Sequence, residues 1–148
     1  MGLLHRERAY EKLKFYQDLC VIRRLIYRIT ERFRKTHLRL VSQMRDAARS
    51  AKQNIAEGYR KGTVGEFIRG INISQGSLEE LSRDVEDCQE DELIIEEEFK
   101  ELSKMFRSAD YLMVRYLESL YKMEKEGTWK VPGNRLRKKA QTKAGNIS

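Results

Sequence analysis

Catalysis or metal binding in this chain would have to be built from two histidines, two cysteines and its carboxylates. His5 and His37 are preceded, three positions earlier, by Gly2 and Arg34. The Glu-x-x-His pairs that hold a di-iron centre inside a helical bundle are therefore missing, and there is no H-E-x-x-H for zinc. Cys20 and Cys88 form no C-x-x-C pair. Lys61-Gly62-Thr63 has the letters of a phosphate loop but neither the Gly-Lys-Thr order nor a preceding strand. Glu96, Glu97 and Glu98 make a carboxylate run whose plain reading is negative charge at a helix N-terminus. Acid–base work by paired carboxylates needs an apolar pocket to separate their pKa values, and a seam of Leu, Ile and Phe offers none. The expectation is a protein that is not an enzyme and takes no metal and no cofactor.

What remains is positive charge. Arg45, Arg49 and Lys52 follow i, i+4, i+7 and share one helix face, with Arg60 and Lys61 at its end. An earlier segment adds Arg23, Arg24 and Arg28, with Lys12, Lys14 and Arg32 beside them. Such stripes can follow a phosphate backbone. The alternative is an ordinary solvated face, partly neutralised by acidic neighbours. Tyr16, Tyr27 and Tyr59 could stack on bases, although packing explains aromatics in a bundle equally simply. Residues 127–148 hold six basic side chains and no acidic one, among them Arg135, Arg137, Lys138 and Lys139. They read as a flexible basic arm for RNA or DNA backbone, or as a solubilising extension. Trp129 at its root either folds back on the bundle end or meets a partner.

The net charge of +7 is unevenly spread. Residues 1–45 carry 12 basic and 4 acidic side chains, whereas residues 70–126 carry 7 and 16. This polarity suits self-assembly, acidic part against basic part, or nucleic-acid binding by whichever basic surface stays free.

These side chains must be positioned by helices. Phe15, Leu19, Ile22, Ile26, Ile29 and Phe33 recur at three and four residues. So do Val41, Met44, Ala48, Ala51, Ile55 and Gly58, then Phe67, Ile71, Ser74, Leu78, Leu81, Val85 and Cys88. Phe99, Leu102, Phe106, Ala109, Met113, Tyr116, Leu120 and Met123 complete the set. Each series keeps one side of a helix apolar, and none shows the period of two that a strand needs. The spacing predicts helices at about 8–34, 38–60, 64–89 and 96–125. Thr36 is placed to cap the second, Thr63 with Glu66 has capping-box spacing for the third, and Gly127 stops the fourth. Short connections make neighbours antiparallel, so the expected fold is all-α, an up-down-up-down four-helix bundle over residues 1–126. Ala47, Ala48, Ser50, Ala51 and Ala56 let the second helix sit close to its neighbours. Gly70 and Gly76 inside the third each cost about 1 kcal/mol against alanine, which close approach of another helix would explain.

A chain of 148 residues suits one domain. No apolar run approaches the ~20 residues of a membrane span, and residues 1–10 lack a signal-peptide core. The expectation is a reduced, cytoplasmic protein without membrane contact, with both thiols as small core residues.

One stretch is specific. Ser42-Gln43-Met44-Arg45-Asp46-Ala47-Ala48-Arg49-Ser50, then Asn54-Ile55-Ala56-Glu57-Gly58-Tyr59, then Glu66-Phe67 and Gly76-Ser77-Leu78-Glu79-Glu80-Leu81, resembles the 23S rRNA intervening-sequence proteins. The resemblance covers roughly residues 10–123 and marks Gln43, Asn54, Glu57, Gly58, Phe67, Gly76, Ser77, Glu80 and Leu81 as a structural motif. Lys52 and Gln53 stand where smaller residues are usual. The resemblance implies a homo-pentameric barrel without enzyme activity, of a kind often encoded within inserts in bacterial 23S rRNA genes, and the basic residues add the expectation that it binds structured RNA. It implies, as the alternative, a relative of the accessory variability proteins of diversity-generating retroelements, whose partners are a reverse transcriptase and its template RNA.

Overall fold

The computed structural model describes residues 8–129. The predicted arm cations Arg135, Arg137, Lys138 and Lys139 lie outside the described residues. Four α-helices follow one another: α1 Lys14–Thr30, α2 Leu38–Arg60, α3 Val64–Glu90 and α4 Glu96–Glu126. Short 3-10 turns flank α1 at Ala9–Lys12 and Glu31–Phe33. The described residues contain no strand.

Contacts run in reverse order along each neighbouring pair. Tyr27 meets Arg45 while Tyr10 meets Tyr59. Gln43 meets Asp84 while Gly58 meets Gly70. Gln89 meets Glu96 while Asn72 meets Tyr121. Phe15 against Tyr116 and Arg32 against Glu98 bring α4 back onto the α1 segment. The apolar stripes of all four helices converge on one core that includes Ile26, Ile55, Ile71, Leu81 and Met113, each essentially without exposure. Burying each such side chain contributes roughly 1.5–3 kcal/mol. At the end of the fourth stripe Met123 is exposed rather than buried.

The first helix is not the continuous 8–34 element that periodicity predicts. Leu13 is extended (φ −68°, ψ 129°) and separates the opening 3-10 turn from α1. At the other end the Thr30 hydroxyl donates to the Ile26 carbonyl at 2.6 Å, a back-bond that bends helices. Arg45 takes the Tyr27 carbonyl at 3.1 Å. That carbonyl would otherwise accept the Glu31 N–H, so the chain tightens into a 3-10 turn there. Thr36 does not cap α2: His37 holds the cap position, and the Thr36 hydroxyl donates to Phe33 O at 3.2 Å.

Other boundaries match the reading. Thr63 Oγ1 accepts the Glu66 N–H at 3.2 Å and opens α3. Gly127, at φ 68°, closes α4, with Thr128 N–H donating to Met123 O and Gly127 N–H to Glu124 O. The same double closure ends α3, but around Glu92 at φ 59°, with Leu93 donating to Cys88 O and Glu92 to Gln89 O.

α2 and α3 approach more closely than any side chain allows. A Cβ on Gly70 would lie 2.3 Å from Asn54 O, and one on Gly58 would lie 2.7 Å from Glu66 O. Ser74, fully buried, donates to Ala51 O at 2.5 Å across the same seam. The close-approach reading thus holds for Gly70. At Gly76 nothing lies within 4 Å of an added Cβ. Cys88 is a core residue with its sulfur 3.6 Å from Met44 Sδ, whereas Cys20 is only half-buried. Burial pushes the Cys88 thiol up to about 11.

Candidate nucleic-acid interface

The predicted basic stripe is divided by what each cation already holds. Arg45 is committed internally. Its Nε donates to Thr30 Oγ1 at 3.1 Å, and its Nη2 to Tyr27 O at 3.1 Å and Glu31 Oε2 at 2.9 Å. Its guanidinium also lies 4.6 Å from the Tyr27 ring centroid, where Arg23 stacks at 4.5 Å. Tyr27 is therefore a platform for arginines, not an open surface for a base. Arg34 adds a second cation on Glu31, and the hydrogen bonds from Arg45 and Arg34 hold the Glu31 carboxyl below its ordinary range.

Arg49 pairs with Asp46 at 3.2 Å and Lys61 with Glu66 at 3.5 Å, both exposed and of little worth in solvent. Arg24, Arg28 and Arg60 are exposed and Lys52 half-buried, and none has an ion-pair partner among the described residues. The antiparallel register set by Tyr27–Arg45 and Tyr10–Tyr59 lays residues 49–52 alongside about residues 17–23. The α1–α2 side thus gathers Arg23, Arg49 and Lys52. Arg24 and Arg28 follow the stripe of Arg32, which reaches Glu98 on α4, and Arg60 with Lys61 stands at the far end of α2.

Sequence reasoning passed over several cations in the same condition, among them Arg39 on α2 and Arg69 on α3. Both are exposed, with no ion pair among the described residues. Heptad steps from Arg60 through Gln53 and Asp46 reach Arg39, so helical spacing was enough to find it. Arg39 lines an open groove of about 700 Å³ between α2 and α3 with Ser42, Gln43 and Glu80.

Most motif residues belong to that α2–α3 seam rather than to the cationic side, whereas Gly76 lines a groove between α3 and α4 with Phe106 and Arg107. Gln43 donates to both oxygens of buried Asp84 at 3.1 Å. Burial pushes the Asp84 carboxyl up, and the Gln43 amide opposes it. Asn54 donates to Ser50 O at 2.8 Å, and the Ser50 and Ser77 hydroxyls lie 3.0 Å apart. Leu81 and Phe67 are buried, while Glu57 and Glu80 are exposed beside the seam. The remaining tyrosines pack together: Tyr10 lies 5.0 Å from Tyr16 and 5.3 Å from Tyr59, and Tyr59 lies 5.3 Å from Phe67. Burial pushes the Tyr16 and Tyr59 hydroxyls up, keeping them neutral. Trp129 folds back onto this cluster, 6.0 Å from Phe67.

Among the described residues no cluster of three histidine, cysteine or acidic side chains could hold a metal. No helix among them is long and apolar enough to cross a membrane. None of the curated proteins matches the chain. The family described as 23S rRNA-intervening sequence protein matches residues 11–114, which takes in α1 to α3 and most of α4. This helical chain, with its Asn54–Gly58 run packed on Gly70, belongs to the 23S rRNA-intervening sequence protein family.

Proposed function

We propose that the protein is a non-catalytic, self-assembling helical module whose exposed cations on α1 and α2 bind the phosphate backbone of structured RNA without reading its sequence. One observation carries this: Arg24, Arg28, Lys52 and Arg60 carry no ion pair among the described residues, although carboxylates are plentiful elsewhere in the chain. A purely structural arginine is used as Arg45 is; these four are not. The family's description, which refers to 23S rRNA, supports RNA as the polyanion. Affinity would come from counterion release, so binding must weaken steeply with salt.

Self-assembly into a homo-pentamer is part of the proposal. It is supported by the opposed charge of the two halves and by Gly76, whose missing side chain nothing within one subunit requires. Ile73, Tyr111 and Val114 are large apolar side chains left at least 40% exposed, as expected of surfaces that another subunit covers.

Filter binding of a labelled RNA hairpin at about 50 and about 300 mM salt tests the binding. We expect the plot of log K against log salt to lose about 0.9 in slope per duplex phosphate contact when Arg24, Arg28 and Arg60 are each changed to Gln. Equal retention at both salt concentrations, or no retention, overturns the reading. Light scattering that returns the monomer mass in moderate salt overturns the assembly.

A further inference from the structure

α3 is bordered by two open sides, and each carries groups that nothing in the same subunit engages. On the side shared with α2, Glu80 stands in the groove with Arg39, and Ile73 stands further along beside Asn54. Glu80 and Arg39 are exposed without an ion pair among the described residues, and Ile73 is an exposed apolar side chain. On the side shared with α4, Gly76, Glu79, Arg107 and Asp110 line a groove of about 550 Å³. Asp110 accepts from Gln75 at 3.2 Å, and Tyr121 accepts from Asn72 at 3.4 Å. Exposed Val114 stands one turn from Asp110 and two turns from Tyr121, so it faces the same side. Glu86 lies two turns beyond Glu79 and continues that side. Arg107 and Glu86 are exposed and have no ion pair among the described residues either.

The groups on the two sides are matched in height. The Gln75–Asp110 contact puts Arg107 level with residue 78 of α3 and Val114 level with residue 71. The Gln43–Asp84 contact puts Arg39 level with residue 88. Glu80 is therefore offset from Arg107, Ile73 from Val114 and Arg39 from Glu86 by the same two residues, about 3 Å along the axis. We propose that the α2–α3 side of one subunit docks on the α3–α4 side of a second copy of this chain, with axes parallel and ends nearly level. Glu80 then faces Arg107, Arg39 faces Glu86, and Ile73 packs on Val114 next to the open backbone of Gly76. The inference rests on the self-assembly reading above and adds which surfaces carry it. The apolar contact supplies association, and the flanking charges of opposite sign fix the register. The two sides are different patches that meet at one helix. Docking is therefore head-to-tail and turns in the same sense at every copy, which is how rings close. α1 packs on α2 and α4, diagonally across from α3. It stays outside the contact, which leaves Arg24 and Arg28 to a polyanion.

Light scattering on the full chain in moderate salt tests the pairing by charge reversal. Glu80→Arg and Arg107→Glu each set like charges face to face. Each should shift the chain to the monomer mass at concentrations where the wild type is assembled, with dissociation at least about a hundredfold easier. The two reversals in one chain put opposite charges together again and should restore the wild-type mass. Arg24→Gln with Arg28→Gln should leave the mass unchanged. All four positions are exposed, so none of these changes touches the core. A single reversal that keeps the wild-type mass, a double reversal that stays monomeric, or assembly lost with the α1 pair overturns the inference while leaving self-assembly intact. A monomeric wild type removes the self-assembly reading and this inference with it, whereas RNA retention on the filter stands or falls separately.

Discussion

The end of the bundle where α1 passes into α2 and the end where α2 turns into α3 are held by different physics. At the first, arginines do the fastening. Arg45 ties α2 to the last turn of α1 through Thr30, Tyr27 and Glu31. Arg32 grips Glu98 through two hydrogen bonds of 2.6 Å. At the second end, backbone meets backbone at Gly58 and Gly70, and rings close the gap from Tyr10 through Tyr59 and Phe67 to Trp129. Where glycines and aromatics supply the contact, guanidinium groups are left over, and Arg60 is one of them. A basic stripe in a sequence is therefore not a map of a binding surface. What each arginine already touches decides whether it can reach a phosphate.

The contrast can be broken at either end. The largest effect should come from Gly70→Ala, which forces a methyl into the Asn54 carbonyl and should cost about 3 kcal/mol in a denaturant titration. A loss below 1 kcal/mol would mean that the two helices can simply part. Arg45→Met keeps the stem but strips the donors from Thr30 and the Tyr27 carbonyl, and should cost about 2 kcal/mol. RNA affinity should hardly change in that variant, whereas Arg60→Gln should lose affinity and keep its stability.

Next comes Glu98→Gln. Glu98 accepts from Arg32 and from the Ile95 N–H, and these hold its carboxyl below the ordinary range. A carboxylate whose pKa is lowered on folding stabilises above its unfolded pKa, and that contribution is lost as pH falls through the folded value. Removing the charge should therefore cost about 1 kcal/mol at neutral pH, and the difference from wild type should vanish on acidification. A difference that persists unchanged into acid would assign the loss to packing. The smallest effect is expected of Gly76→Ala, where the added methyl meets nothing. It should stabilise an isolated subunit by up to about 1 kcal/mol. If it instead weakens self-assembly, a neighbouring subunit occupies that space.

Much of this architecture was legible in the spacing of apolar residues. The stripes from Val41 to Gly58 and from Phe67 to Cys88 are buried at every position, because helical periodicity reports burial directly. Thr63 and Gly127 were legible because capping is local chemistry. The break at Leu13 and the tightening after Thr30 were not, and at the second Arg45 arrives from another helix to take the Tyr27 carbonyl. The end of α3 was legible to within one residue, but its closure around Glu92 was not, because that backbone conformation usually advertises itself as glycine. The cationic residues were found by type and spacing, but their division into engaged and available sets depends on tertiary partners such as Glu31, which Arg45 reaches from another helix. Gln43 was visible as a motif residue, yet its partner Asp84 lies on a different helix and nothing in local spacing joins them.

The Met44–Cys88 contact gives the molecule an internal gauge. Cys88 is sealed between α2 and α3, and with its thiol pushed up to about 11 it stays protonated and unreactive while the helices remain together. Cys20, half in solvent, offers a thiol reagent an easier target. The lag between the two alkylations would read out how often these helices separate under native conditions, and how firmly a bound polyanion or a neighbouring subunit holds them shut.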